Sequence, residues 1–185
     1  LMVSPGAELF SETFEEGSIS ERWGIKQFFI IEDGVLKRST HQPQESARIF
    51  LKEAAFHDVI IQFDFKFEGS SELRLVTGGG GGYNTITQVS TKHFQVNTAK
   101  RKLEFQPSHQ GECAIDFEQG KWYTMTVEFE GSEVAAHLDG EHFVIGKHPI
   151  IDTERTYIAL QVEGTSAHFD NFKIWKSVPK PEWES

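Results

Sequence analysis

From residue 59 to residue 67 the chain runs Val-Ile-Ile-Gln-Phe-Asp-Phe-Lys-Phe, and this stretch decides the fold class. Large apolar side chains recur at every second position, and Gln62, Asp64 and Lys66 stand between them. Because successive side chains of a β-strand point to opposite faces, the alternation predicts a strand with one buried face and one solvated face. The same period recurs in residues 122–130, 134–138 and 158–163.

Turn signals containing glycine separate the apolar blocks. Four of them share one pattern: Glu16-Gly17-Ser18, Glu68-Gly69-Ser70, Glu130-Gly131-Ser132 and Glu163-Gly164-Thr165. The pairs Asp33-Gly34 and Asp139-Gly140 lie between apolar runs, and they favour type I′ hairpins because glycine adopts the positive φ of such turns. The sequence therefore predicts many short strands joined by tight, hairpin-like reversals.

A single helix-start signal occurs, at Ser18-Ile19-Ser20-Glu21, and predicts one short helical turn before Trp23. With so little helix, the apolar face of a sheet has only another sheet to cover it. The expected architecture is all-β: a two-sheet antiparallel β-sandwich of jelly-roll type. We expect one domain over residues 1–176, followed by a tail or linker over 177–185 in which Trp183 docks on the body.

Charge and composition exclude several classes of function. The chain has 18 Lys and Arg residues and 28 Asp and Glu residues, so the formal net charge is −10. A surface of this sign repels phosphate backbones and anionic lipids, which argues against nucleic-acid and membrane partners. No apolar run approaches the ~18 residues of a spanning helix. The single cysteine, Cys113, excludes an intrachain disulfide and a multi-cysteine metal site.

The order of motifs resembles a known family. Its elements are the Phe10 to Glu15 opening, Trp23, the hairpin over 31–36, the strand over 56–67, Gly120-Lys121-Trp122-Tyr123, Leu138-Asp139-Gly140 and the closing segment over 169–175. Over roughly residues 8 to 176 the chain resembles the concanavalin A-like lectin/glucanase superfamily, and within it the bacterial 3-keto-disaccharide hydrolase-like family. The resemblance implies two curved antiparallel sheets and a concave face that meets glycans. It also implies a secreted or periplasmic bacterial protein, with its signal peptide removed, and sometimes a bound metal ion.

The chain lacks the sequence motif of the classical glucanases. Glucanases of the superfamily carry clustered acids as Glu-x-Asp-x-Glu, and the nearest string here is Asp64-Phe65-Lys66-Phe67-Glu68. A lysine between two carboxylates lowers their pKa values, whereas a general acid needs a raised pKa. We therefore interpret this string as a charge-balanced polar face.

Candidate glycan contacts come from the polar faces and one glycine-rich loop. Five glycines, Gly78 to Gly82, precede Tyr83, and this loop either lets a sugar stack on Tyr83 or simply connects two strands. Proteins recognise sugars with aromatic rings and planar hydrogen-bonding groups. The predicted carbohydrate-binding side chains are Lys66, Arg74, Tyr83, Gln88, His93, Gln95 and Gln161, with Asn97 as a further polar-face residue. Trp23, Trp122 and Trp175 are predicted to be core residues.

Two metal sites are considered. If Asp139-Gly140 forms a two-residue loop, His137 lies opposite His142, and the two imidazoles could share a cation or could be ordinary half-exposed histidines. The resemblance also implies a structural calcium, for which Glu15 or Glu16 with Asp170 are the candidates, although Asp170-Asn171 could simply form a β-bulge. The cofactor is therefore left open between none and a divalent metal.

Three functions remain open at this point. The leading hypothesis is a carbohydrate-binding module whose partner is an oligosaccharide or glycoside. The second, implied by the family, is an enzyme that cleaves 3-keto-glycosides by abstracting a proton beside the ketone, with Asp64, Glu163 or His137 as the base and a metal polarising the carbonyl. The third is a non-catalytic structural or interaction module, which an apolar concave face would favour.

Overall fold

A computed structural model describes residues 2–15, 17–24, 28–38, 46–80, 82–99 and 107–181. These residues form fifteen strands and one 3-10 turn, Pro149–Ile151. The strands are β1 (Val3–Glu12), β2 (Trp23–Gly24), β3 (Phe29–Glu32), β4 (Val35–Arg38), β5 (Ala47–Leu51), β6 (Val59–Phe67), β7 (Ser70–Gly78), β8 (Thr85–Ser90), β9 (His93–Ala99), β10 (Pro107–Ala114), β11 (Trp122–Glu130), β12 (Glu133–Leu138), β13 (His142–Lys147), β14 (Tyr157–Gly164) and β15 (Ala167–Pro179).

The strands pair into two antiparallel sheets. The first sheet has the order β13-β12-β11-β6-β15-β4-β3, and β1 also pairs with β15. The second sheet has the order β10-β9-β8-β7-β14-β5-β2. Their apolar faces meet in one core, so the predicted jelly-roll β-sandwich is confirmed.

Strands β6 and β15 contribute a group of aromatic side chains to a core that also contains many aliphatic residues. Every apolar residue of the alternating face of β6, from Val59 to Phe67, is at most 1% exposed. The Phe63 ring lies 5.8 Å from the Phe172 ring and 6.1 Å from the Phe169 ring. Trp23 is fully buried, with edge-on contacts to Phe172. The two-residue period of the sequence therefore marks the buried faces correctly.

Glycine turns of similar sequence make two different connections. Asp33-Gly34 and Gly131 join adjacent strands of one sheet, as predicted. Gly69 and Gly164 instead carry the chain between the two sheets, because β6 and β15 belong to the first sheet and β7 and β14 to the second. The expectation that all these turns are hairpins is wrong for those two, since a positive φ serves both kinds of connection.

Further sequence expectations need correction. Residues 18–21 form no helical turn; instead the Trp23 amide donates to the Ser20 carbonyl in a simple turn. Trp122 is not a core residue, because its side chain is 40% exposed on the first sheet. Trp175 packs in a small cluster outside the main core. The last strand ends at Pro179, and the expected docking of Trp183 lies outside the described residues.

None of the described segments forms a helix with the length and hydropathy that a membrane span requires.

Candidate functional site

Six strands of the second sheet each place one polar side chain on a common line across its outer face. This line, the polar row, comprises Arg48, Gln161, Arg74, Gln88, Gln95 and Glu112, each the direct register partner of the next. Along β5, β14, β7 and β9 the neighbours of these residues are apolar and buried, so the alternation turns the polar members outward. At about 4.8 Å between strands, the row is about 24 Å long.

One half of the polar row is fixed by side-chain hydrogen bonds around Arg48. Its Nε donates to Gln161 Oε1 over 3.1 Å, and Nη2 donates to the same oxygen. Its Nη1 donates to the Tyr157 hydroxyl over 3.1 Å. Gln161 Nε2 in turn donates to Glu163 Oε1 over 2.7 Å. The guanidinium therefore has a defined plane before any ligand arrives.

A second group of charges lies beside the middle of the row. Glu72 is directly opposite Glu163 on the neighbouring strand. Arg74 forms an ion pair with Glu72, and its Nη1 lies 4.0 Å from Glu163 Oε1. Gln88 Nε2 donates to Glu72 Oε2 over 2.6 Å. Two carboxylates thus flank one guanidinium on the outer face.

The far end of the sheet carries an ion pair of imidazole and carboxylate. His93 Nδ1 lies 2.6 Å from Glu112 Oε1, and the His93 side chain is 53% exposed. Glu112 lies on the edge strand β10, and His93 lies on its neighbour β9. Hydrogen-bonding groups are therefore present along the whole width of the face.

An apolar row runs next to the polar row. It consists of Phe50, Ala159, Val76 and Ile86, again successive register partners. Ala159 and Val76 are 0% and 2% exposed, whereas Phe50 and Ile86 are partly exposed. The outer face thus presents carbon surface only at the two ends of this row, at Phe50 and Ile86, beside the line of hydrogen-bonding groups.

A cleft opens where the polar row ends at β5. This tyrosine cleft has a volume of about 370 Å³ and is lined by Arg48, Gly82, Tyr83, Thr156 and Tyr157. The Tyr157 ring stacks against Phe50 with centroids 6.1 Å apart and planes at 24°. The glycine-rich loop thus brings Tyr83 to the same place as Arg48 and Tyr157.

The predicted glycan contacts fall into two groups, one on each sheet. Those on the second sheet are Arg74, Gln88, Gln95 and Gln161 in the polar row, Asn97 at the end of the apolar row, Glu163 and His93 beside the polar row, and Tyr83 in the tyrosine cleft. Sequence reasoning missed Arg48, Tyr157 and Glu72. Arg48 and Tyr157 each continue a strand alternation by one step, and that signal could have revealed them.

Lys66, Asp64, His137 and Asp170 lie on the outer face of the first sheet, apart from the candidates on the second sheet. Asp64 accepts hydrogen bonds from Thr124 Oγ1 over 2.6 Å and Asn171 Nδ2 over 2.8 Å. Strand alternation fixes the face within one strand, but the sheet to which each strand belongs depends on long-range pairing.

The predicted His137–His142 pair is also wrong. Leu138 pairs with His142, and His137 pairs with Phe143, because Glu141 adds one residue to the loop. His142 Nδ1 is instead 4.0 Å from the Cys113 sulfur. A one-residue change of register is enough to turn the two imidazoles to different faces.

His137 lines a separate cavity of about 320 Å³ on the first sheet. The lining comprises Val3, Pro5, Ile60, Gln62, Thr126, Glu128, His137 and Trp175. Burial holds the pKa of His137 below its ordinary value of 6.5. Glu128 Oε1 lies 3.8 Å from His137 Nε2, while Oε2 accepts the amide hydrogens of Met2 over 2.6 Å and Val3 over 3.0 Å. This carboxylate therefore anchors the first strand over the sheet.

Of the residues considered for a structural calcium, Asp170 lies in β15 and Glu15 follows β1. Among the described residues, no three His, Cys, Asp or Glu side chains lie close enough to hold a metal together. Glu16 lies outside the described residues. Asp170 is at a β-bulge, where Oδ1 accepts the Asn171 amide hydrogen. Burial raises the pKa of Asp170, and repulsion from Asp64 and Glu15 raises it further. The hydrogen bond from the Asn171 amide lowers this pKa, but by less.

Comparisons with known proteins agree with this fold. A protein of unknown function with a galectin-like fold from Bacillus subtilis is 14% identical and superposes with a TM-score of 0.77, over 97% of this chain and 100% of that chain. The carbohydrate binding module CBM66 from Bacillus subtilis is 15% identical, with a TM-score of 0.67 over 84% of this chain and 96% of that one. An endo-β-1,3(4)-glucanase from family GH16 is 11% identical, with a TM-score of 0.68 over 95% of both chains.

Sequence comparison assigns the chain to a family. No curated protein matches the chain. A family described as the 3-keto-alpha-glucoside-1,2-lyase-like domain matches residues 9–175, which confirms the resemblance seen in the motifs. The chain belongs to this family of 3-keto-alpha-glucoside-1,2-lyase-like domains.

Proposed function

We propose that the outer face of the second sheet binds an oligosaccharide. The observation that carries the proposal is the polar row lying directly beside the apolar row. A sugar ring has a face of C–H groups and a rim of hydroxyls, so it complements the exposed carbon of Phe50 and Ile86 next to a line of donors and acceptors. The length of the row suits a chain of several rings lying across the strands.

The comparisons support the same class of ligand. One structural relative is named as a carbohydrate binding module and another as an endo-glucanase. We also propose that the protein works outside the cytoplasm of a bacterium, where polysaccharides are met. Fractionating cells of the source organism would test this location, and recovery in the cytoplasm alone would contradict it.

The binding proposal is tested by a glycan array followed by calorimetric titration. We expect at least one oligosaccharide to bind, and Gln161→Ala or Arg74→Ala to weaken it about tenfold or more. Gln161→Ala removes the hydrogen bonds to Arg48 and Glu163, and Arg74→Ala removes the ion pair with Glu72. Lys66→Ala, on the first sheet, is the matched control and should bind normally. Failure of every glycan to bind would leave the structural-module hypothesis in its place.

A second function is favoured by the opposed carboxylates and the family match. In a 3-keto-glycoside, the hydrogen on the carbon between the ketone and the anomeric carbon is acidic. We propose that Glu163 accepts this proton; the electron pair then forms a carbon–carbon double bond and breaks the glycosidic C–O bond. The leaving oxygen takes up a proton. Arg74, 4.0 Å from Glu163, is placed to stabilise the enolate that develops on the ketone oxygen.

Incubation with a 3-keto-disaccharide, with and without a divalent metal, tests this reaction. Release of sugar should fall about 100-fold or more in Glu163→Gln, the range expected when a general base is removed. Asp64→Asn and His137→Gln, on the first sheet, are the controls and should retain the rate. Equal rates in Glu163→Gln and the native protein would contradict the assignment.

A further inference from the structure

The guanidinium of Arg48 has no negative partner in the part of the chain that the structure describes. Its three hydrogen bonds go to the amide oxygen of Gln161 and the hydroxyl of Tyr157, which are neutral acceptors. Arg74, on the same face, differs because Glu72 pairs with it directly. An arginine stays charged under all ordinary conditions, so Arg48 presents an uncompensated positive charge.

This charge faces a cavity rather than open solvent. Arg48 lines the tyrosine cleft, whose other walls are Gly82, Tyr83, Thr156 and Tyr157. A guanidinium has five N–H donors, and three are engaged, so two remain for a ligand. None of the cleft's lining residues is acidic. A cavity of about 370 Å³ that combines a fixed cation with tyrosine rings suits one ring bearing a carboxylate.

We infer that the tyrosine cleft binds a uronic acid unit of an oligosaccharide. The inference rests on the proposed binding function and adds the class of sugar. The carboxylate of the uronate would accept charge-assisted hydrogen bonds from the free donors of Arg48. The net charge of −10 repels anions from the protein as a whole, so any preference for an acidic glycan must come from local groups such as Arg48.

The first experiment changes the ligand and leaves the protein intact. Oligosaccharides containing glucuronate, galacturonate or mannuronate are titrated by calorimetry beside their methyl esters and the corresponding neutral hexose chains. We expect at least one acid form to bind about tenfold more tightly than its own ester, because the ester keeps the shape and loses the charge. The advantage should shrink at high salt, since the cleft is partly exposed.

The second experiment changes the cation. Arg48→Gln should bring the ratio of acid to ester affinity close to one, and Arg48→Lys should keep part of it, because lysine keeps the charge without the planar fork. Lys66→Gln removes one positive charge from the opposite sheet and should leave the ratio as it is. Circular dichroism and the melting temperature of each variant show whether it folds.

The outcomes separate the two proposals. If acids, esters and neutral chains of the panel bind equally, the inference is overturned and the binding function stands. If none of them binds and the wider glycan array is also negative, both fail. An equal loss of preference in Lys66→Gln and Arg48→Gln would assign the effect to overall charge and overturn the role of Arg48. Should Arg48→Gln not fold, the comparison of acid with ester still decides.

Discussion

Gly24→Ala is expected to disturb the tyrosine cleft from a strand that does not line it. Gly24 lies on the edge strand β2, and a Cβ added there would be 2.4 Å from Cζ of Phe50 and 2.8 and 2.9 Å from its two Cε atoms. The tip of the Phe50 ring therefore stands where the new methyl group must go. That ring stacks on Tyr157, whose hydroxyl accepts a hydrogen bond from Arg48.

The size of the effect follows from these distances. Ordinary van der Waals contact begins at 3.4 Å, so the ring tip has to retreat by about 1 Å. Overpacking of this kind costs about 1–3 kcal/mol, and the partly exposed Phe50 ring can shift, which places the cost near the lower limit. We expect a loss of about 1 kcal/mol in the free energy of unfolding, and a glycan affinity about fivefold lower as Tyr157 moves.

A double-mutant cycle, followed by urea denaturation, measures the coupling between Gly24→Ala and the Phe50 ring. Phe50→Leu removes the ring tip, so Gly24→Ala should cost almost nothing in that background, with an interaction energy of about 1 kcal/mol. If Gly24→Ala destabilises both backgrounds equally, the Phe50 ring is not what resists the methyl group. If stability falls without any change in the binding of a glycan that the native protein binds, the link from Phe50 to the cleft is refuted.

Three further predictions concern stability. Phe63→Ala should cost about 3–5 kcal/mol in urea denaturation, because the ring packs between Phe169 and Phe172 in the fully buried core. Arg155→Met should cost about 3 kcal/mol in the same assay, since it leaves buried carbonyl groups without the donors that Arg155 supplies; a neutral result would contradict this. Burial holds the His137 pKa below 6.5, so the unfolded chain takes up the proton first as the pH falls. Stability should therefore decrease below about pH 6.5, and His137→Gln should reduce that slope in unfolding measured at about pH 7.5 and about pH 5.

The sequence predicted the sandwich because its main signal is local. The alternation in residues 59–67 indicates which side chains face inward. The Asp33-Gly34 turn is predicted from those two residues alone. Those parts of the fold require no knowledge of distant partners. The buried faces were therefore assigned correctly strand by strand.

The candidate site was harder to predict because it depends on distant pairings. Glu141 adds one residue to a loop, and that single addition separates His137 from His142. Gly69 and Gly164 have the local signature of hairpins yet join the two sheets, because burial of both apolar faces decides where the next strand goes. Arg48 is the one polar residue of the short strand β5, and although alternation turns it outward, its pairing with Gln161 is what brings it into the row.

The polar row takes its members from strands scattered between residue 48 and residue 112 and from a strand near residue 161. No excised peptide could retain this surface, since it exists only while all six strands stand in register. Equally, each strand supplies one outward position, and a change there leaves the inward side chains of the strand in place, although Arg48 and Gln161 are joined by hydrogen bonds. Specificity for different glycans can thus be altered by single exchanges along the line, one strand at a time, with neither a new loop nor a rebuilt interior.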